Sequence, residues 1–357
     1  AVHNMKKQIL KIIYVVTFMA AFVLFGAVSL FYKNDTIGNE DKVTLGGVGY
    51  KDMAGNFDDY FSKSFGFRDK LVNINNSIKY NIFKQSGEKS VIAGRDGWLF
   101  YESALHDYTG ENVMTREEAA KAAGVIKEMS DYAKECGTKL IFVSAPNKME
   151  IYGEYMPYYC LEDKSDGNYE LLMDELSHTD VDYVDLKEIL KEAGGGSSVQ
   201  LYHKEDSHWN NLGAAYAYRA IMQKAGVDFF DYTSLDYTIQ DNFDGDLYSM
   251  LFPEGSHKDE QVMLDMEQDF YFTSNYRSDD DLVIETANDN ASGSVLVYRD
   301  SFGNALYQYF AEDFNTAKFT RAVPYDLTGI GDYDVVVIEL VERNLANLID
   351  MEPVMPR

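Results

Sequence analysis

Two short stretches of the chain hold the residue types that acyl chemistry needs. In "DSHW", Asp206 and His208 stand one residue apart and Trp209 follows at once. In extended backbone, residues i and i+2 point the same way, so carboxylate and imidazole can face one cleft and touch. In "VLVYRDSFGNAL", an apolar run leads straight into Ser301, and Gly303 and Asn304 open a helical pattern. A serine hydroxyl is a weak nucleophile at neutral pH and needs a base within reach, itself oriented by a carboxylate. The expected roles are Ser301 as nucleophile, His208 as base and Asp206 as the orienting acid. The start of the following helix offers free backbone N–H groups to a developing oxyanion. There Gly303 keeps the turn uncrowded, and the side-chain amide of Asn304 is a further expected donor.

Each stretch also has a plainer reading. Asp300 and Ser301 before a helix make an ordinary capping turn. "DSHW" makes a surface turn in which Trp209 is a core anchor. His203 competes with His208 as a base, but it lies outside the tight Asp-x-His pattern and reads as loop. What favours a Ser-His-Asp site is the pairing of the two stretches at the ends of strands in one α/β domain.

The elements that must position them can be followed along the chain. "KSVIAGRDGWLFY" (Lys89–Tyr101) reads as a hairpin turning at Arg95, Asp96 and Gly97, with Trp98 and Phe100 packing on one face. A cleft role for Asp96 or Tyr101 is the less favoured alternative. Thr115 and Glu118 form a capping-box pattern ahead of a helix ending near Cys136, closed by Gly137. "KLIFVSAP" (Lys139–Pro146) is a continuous apolar strand of the kind buried in parallel sheets. A helix over 167–178, a strand at "VDYVDL", a loop over 194–198 and a helix capped by Asn211 and running through Gly226 come next. "SVLVYRD" and "YDVVVIELVERN" supply further buried strands. Strands alternating with helices predict a parallel sheet with right-handed crossovers. The stretch 228–290 is polar and irregular, and reads as an insertion of short strands or a lid. Within it, Asp244 and Asp246 in "FDGDLY" are too few carboxylates for a cation site and read as a turn.

The chain's 357 residues leave core size unrestricted, and a net charge of −27 argues against nucleic acid as a partner. Lys6, Lys7 and Lys11 precede an uncharged run from Ile12 to Tyr32, and Asp35, Glu40 and Asp41 follow it. At ~1.5 Å per residue such a run crosses the ~30 Å core of a bilayer, with its basic end inside. The expectation is an uncleaved single-pass anchor, with the body of the protein outside the cytoplasm. A cleaved signal peptide, ending near "AVS" at Ala27–Ser29, is the alternative. The predicted organisation is a cytoplasmic stub and anchor over 1–33, a juxtamembrane linker over 34–56 and one catalytic domain over 57–350. Cys136 and Cys160 form no metal motif; a disulfide between them and two free thiols are both open.

Five blocks together carry a resemblance. "GRDGWLFY", "APNKMEIY", "DSHWNNLGAAYAY", "RDSFGNAL" and "VIELVERN" follow in the order of the SGNH-hydrolase-like domain of the alginate O-acetyltransferase (AlgX/AlgJ-like) family, and the body also resembles the bacterial DHHW proteins. The resemblance implies a three-layer α/β fold with a parallel sheet and a permuted triad order: acid, base, then nucleophile. It implies Asp206, His208 and Ser301 as the triad, places Asn147 and Lys148 near substrate, and leaves Tyr307 either lining the pocket or packing in the core. It further implies O-acetyl transfer, or ester hydrolysis, on a cell-envelope or exported polysaccharide, a membrane-bound O-acyltransferase as the partner supplying acetyl, and no metal or organic cofactor. Two rivals stand beside this: a non-catalytic glycan-binding scaffold of exopolysaccharide assembly, and a partner in teichoic acid D-alanylation.

Overall fold

The computed structural model describes residues 11–20, 68–111, 113–160, 166–196 and 199–356. Residues 11–20 are helical and exposed. The rest of the expected span over 12–32, and the expected linker over 34–56, lie outside the described residues. Among the described residues, no helix is long and apolar enough to cross a membrane. The chain divides into two compact units. In the smaller, the Asn76 side-chain amide on the helix Arg68–Phe83 donates to the Leu251 carbonyl at 2.7 Å. The larger, Lys84–Met250 with Ser256–Arg357, holds every expected site residue.

In chain order the larger unit runs β1 (Val91–Ala93), β2 (Leu99–Tyr101), α1 (Arg116–Glu135), β3 (Lys139–Ala145), α2 (Asn168–Ser177), β4 (Asp182–Val184), α3 (Leu186–Gly196) and α4 (Asn211–Ala225). It continues with β5 (Tyr237–Phe243), β6 (Asp259–Leu264), β7 (Tyr271–Phe272), β8 (Val283–Ala287), β9 (Ser294–Tyr298), α5 (Gly303–Asp313), β10 (Thr316–Thr320) and β11 (Val335–Val341). A seven-stranded sheet has the order β4-β3-β11-β9-β10-β8-β7. Its first five strands are parallel neighbours. Strand β8 runs antiparallel to both of its neighbours, β10 and β7, so the sheet is mixed and not wholly parallel as expected. The reason is connection length. A parallel return needs a crossover of about a dozen residues or more, whereas only 288–293 separate β8 from β9. The chain therefore reverses there, and β10 later fills the place between β8 and β9.

The sheet is buried on both faces. Ile141, Val143 and Ala145 of β3 pack in one core with Val295, Val297 and residues of α4 and α5. Leu140 and Phe142 pack in the other with Leu296, Val336 and residues of α1 and α2. This period of two, apolar on both sides, is why the central strands read as unbroken hydrophobic runs. The capping box forms: Glu118 N–H donates to Thr115 Oγ1 at 3.2 Å and Thr115 N–H to Glu118 Oε2 at 2.8 Å. Helix α3 continues through Gly196 where a loop was expected from Gly194, and the cap of α4 is Asn210, not Asn211. Cys136 and Cys160 are free thiols.

The first turn of α4 lies hard against the segment that precedes it. A Cβ on Gly213 would stand 2.2 Å from the Leu201 carbonyl oxygen and 2.9 Å from the Trp209 Cβ. Gly213→Ala is therefore expected to cost about 1–3 kcal/mol, as an overpacked core position does, read as a fall in the denaturation midpoint. An unchanged midpoint would show that this close approach is not needed.

Candidate active site

Strand β9 ends at Tyr298, and the turn Arg299-Asp300-Ser301 delivers the serine to the carboxyl edge of the sheet, where open α/β sheets bind ligands. Asp300 ties the turn down. Its carboxylate accepts from Phe302 N–H at 2.8 Å and from Val341 N–H, at the end of β11, at 2.7 Å. The Asp300 N–H donates to Glu339, fully buried on β11, at 3.0 Å. Burial, then the charge of the neighbouring Asp300, push the Glu339 carboxyl well above its usual range. Gly303 is required here, because a Cβ would meet the Arg299 side chain at 2.6 Å.

The second stretch is a narrow loop. His203 N–H donates to the His208 carbonyl at 3.2 Å and Asn210 N–H to the Leu201 carbonyl at 2.9 Å, which folds 201–210 back on itself. Trp209, 1% exposed, donates its indole N–H to the Phe302 carbonyl at 2.9 Å and so pins this loop to the serine turn. The result is a continuous chain. His208 Nε2 is 2.8 Å from Ser301 Oγ, and His208 Nδ1 is 2.7 Å from Asp206 Oδ1. Asp206 also accepts from the His208 N–H at 2.8 Å and, through Oδ2, from the Asp246 N–H at 2.7 Å. With Nδ1–H donating to Asp206, the Nε2 lone pair faces the serine hydroxyl. Burial alone would raise Asp206 and lower His208. Their mutual hydrogen bond and charge outweigh it, holding the carboxylate below its usual range and the imidazole above its own.

Asp246 belongs to this cluster, which corrects its reading as a plain turn. It accepts from Ser207 N–H at 2.8 Å and from Ser207 Oγ at 2.6 Å, and its carboxylate lies 3.8 Å from His208 Nδ1. Burial, then the charge of Asp206, raise its pKa. Nothing in "FDGDLY" marks Asp246 beyond an acid beside glycine; its role comes from the chain doubling back over the Asp206 loop. Asp206, His208 and Asp246 bring ligand atoms within 4.8 Å of one another. Those atoms are already committed to Ser207, Ser301 and each other, so the cluster is saturated by its own hydrogen bonds. His203 is packing, in line with its reading as loop: its ring stacks on Phe243 at 3.7 Å and its Nδ1 meets the Glu260 carbonyl at 2.9 Å.

Several residues expected at the substrate act instead as supports. Lys148 is buried, and its ammonium donates to the carbonyls of His203 at 3.1 Å, Lys204 at 3.1 Å and Asp206 at 2.6 Å. It lies under the Trp98 and Phe100 rings, 5.3 and 5.2 Å from their centroids, and burial lowers its pKa to about 8. With three donors spent on backbone, it holds the Asp206 loop and has none for a ligand. Asn147 is also buried, donating its N–H to Glu342 at 2.8 Å and its amide to Asp107 at 3.3 Å. Asn304 is no free oxyanion donor either. Its amide nitrogen donates to Asp280 at 3.0 Å and its oxygen accepts from Arg299. Tyr307 is partly buried and packs against the core, its ring beside those of Phe270, Phe272 and Phe319. In the serine turn, Phe302 N–H is taken by Asp300 and Asn304 N–H by the Ser301 carbonyl at 3.1 Å. Among the described residues, the N–H groups of Ser301 and Gly303 have no partner and are the ones left for an oxyanion.

Two measurements test these supports. Lys148→Met leaves three loop carbonyls, two of them buried, without their donor and is expected to cost about 2–3 kcal/mol in chemical denaturation, with turnover falling alongside; a variant as stable as wild type would remove Lys148 from this role. Asp246→Asn removes a negative charge that raises the His208 pKa. The neutral, basic imidazole then persists to lower pH, and the acid limb of kcat/KM moves down. A limb that stays or moves up would mean that Asp246 is not felt at His208.

Comparison with known proteins bears on the same region. Residues 91–268 match a family model described as the SGNH hydrolase-like domain of the acetyltransferase AlgX, a stretch that includes Asp206 and His208 and stops short of Ser301. A probable alginate O-acetylase AlgJ of Pseudomonas aeruginosa is 24% identical over 188 residues, covering 53% of this chain and 45% of that protein. The Pseudomonas putida protein of the same name is 24% identical over 214 residues, 60% of this chain and 53% of its own. The chain thus spans about half the length of these relatives. Among solved structures, Bacillus cereus PatB1 with a sulfonyl adduct superimposes with a TM-score of 0.56 at 19% identity, over 73% of this chain and 98% of that one. A DHHW family protein from Eubacterium siraeum gives 0.53 at 16% identity, over 74% and 99%. The fold is that of this group, and the chain carries an SGNH hydrolase-like domain of the AlgX acetyltransferase family.

Proposed function

We propose that the protein is an extracytoplasmic O-acetyltransferase that modifies a cell-envelope or exported polysaccharide through an acetyl-serine intermediate. The observation that carries the reading is the unbroken chain Ser301 Oγ, His208, Asp206, with contacts of 2.8 and 2.7 Å. His208 takes the Ser301 proton as the serine oxygen bonds to the acetyl carbon of a donor ester. The carbonyl oxygen, now negative, is received by the N–H groups of Ser301 and Gly303. As it collapses, the bond to the donor oxygen breaks and His208 returns the proton to that leaving oxygen. A sugar hydroxyl then gives its proton to His208 and attacks the acetyl-serine, and Ser301 leaves with the proton back on its oxygen. Water in place of the sugar gives acetate from the same site. Asp206 keeps Nε2 unprotonated in the resting state and stabilises the imidazolium that forms in each half-reaction.

The named relatives, probable alginate O-acetylases, support acetyl transfer to a polysaccharide. The uncharged run over 12–32, with Lys6, Lys7 and Lys11 before it and Asp35, Glu40 and Asp41 after it, supports a membrane-anchored protein with its catalytic domain outside the cytoplasm. There, a membrane-bound O-acyltransferase supplies the acetyl group. The test uses an aryl acetate. Wild type should release the phenol, whereas Ser301→Ala and His208→Ala should each lose on the order of 10⁴–10⁶-fold in kcat. Quenched wild-type protein should carry one acetyl group on the peptide containing Ser301 by mass spectrometry. Turnover unchanged in both variants would overturn the mechanism.

A further inference from the structure

Arg343 follows directly after the buried Glu342, at the end of β11, beside the strand that carries the serine turn. Its guanidinium lies against two rings, 5.3 Å from the Tyr101 centroid and 5.5 Å from that of Phe302. The Phe302 ring is itself 4.8 Å from the His208 ring, and the positive charge of Arg343 opposes protonation of His208. The chain has 59 acidic and 32 basic residues, so most cations find a carboxylate. Arg343 has none, nor any hydrogen-bond partner, among the described residues. The two acids nearest along the strand are spent elsewhere. Glu342 pairs with Lys187 at 2.9 Å and accepts from Asn147, and Glu339 holds Asp300. A half-buried guanidinium clamped between rings, with its donors unspent, is prearranged for a flat oxyanion that it can grip through two N–H groups at once.

We propose that Arg343 binds an anionic group of the acyl acceptor, a sugar carboxylate or a phosphodiester, and so selects an acidic polymer for the reaction at Ser301. This deepens the acetyltransferase reading and rests on it for the word acceptor. The acetyl group is neutral, so an anion-binding residue beside the nucleophile addresses the second substrate, the alcohol. The Tyr101 and Phe302 rings flank the guanidinium, and neither supplies a polar contact to it.

The test separates binding from turnover. The full-length Ser301→Ala chain, which holds acceptor without consuming it, is titrated calorimetrically with three oligomers of equal length: a uronate oligosaccharide, a polyol phosphodiester and a neutral glucan. One anionic oligomer should bind more tightly than the glucan, and which one binds names the source of the anion. Adding Arg343→Gln should weaken that binding tenfold or more. Arg343→Lys, which keeps charge and stem but loses the fork, should fall between, and added salt should weaken the wild-type contact. Equal affinity for all three oligomers, no binding of either anionic one, or affinity unmoved by Arg343→Gln with its fold intact would each overturn the assignment. Acetyl transfer by Ser301→Ala would sink the serine mechanism instead and leave the Arg343 titration standing.

Discussion

One hydrogen bond holds the candidate site together. The Trp209 indole N–H meets the Phe302 carbonyl at 2.9 Å and joins two loops that lie 93 residues apart in the chain. Trp209 is the residue after His208, and Phe302 the residue after Ser301. The bond therefore brings base and nucleophile into register as neighbours of a fixed pair. It works because both partners are buried. A buried indole N–H needs an acceptor, and the packed rings, with centroids 5.0 Å apart, leave the Phe302 carbonyl as the one within reach. His208 then spans the gap between two elements already locked.

Beneath that clamp the polar supports share a pattern. Each is a charged side chain, buried or half-buried, that binds backbone N–H or C=O groups of the neighbouring elements. Lys148 holds three carbonyls of the Asp206 loop. Asp300 and Glu339 lash the end of β9 to β11. Glu342, its carboxyl pushed up to about 8 by burial, receives the Asn147 N–H at the end of β3 and the Lys187 ammonium. Buried ion pairs and carboxyls add little net stability against an apolar core of the same shape. What they add here is direction: strand ends stay at a set spacing, and three side chains from two loops meet within hydrogen-bond distance. The block "VIELVERN" is intelligible in these terms. Glu339 and Glu342 bind neighbouring strand ends, and Arg343 lies against the Tyr101 and Phe302 rings.

The readable parts of the fold were those with a local cause. Strands β3, β9 and β11 show as apolar runs because both of their faces are covered, and α1 shows its start because Thr115 and Glu118 cap it reciprocally. Strand β10, "TAKFT", was missed: it is short, carries Lys318 and has no unbroken apolar run, and its place comes from pairing between β9 and β8. The reversed direction of β8 was missed for the same reason. A strand's direction depends on what it pairs with, which local pattern does not encode.

The same division runs through the site. Residue type and spacing were enough to nominate Asp206, His208 and Ser301, because an acid two residues from an imidazole and a serine at a strand-to-helix turn are local patterns with few uses. They were also enough to mark Gly303, since crowding at a turn is a local matter. The assignments of Lys148, Asn147, Asn304 and Tyr307 were decided only by folding. Whether a polar group is free for a ligand depends on which distant groups already occupy it, and those partners arrive from other strands and loops. Asp246 entered the site in the same way, carried there by a segment that no motif links to it, with backbone contacts to the Asp206 loop as the cause.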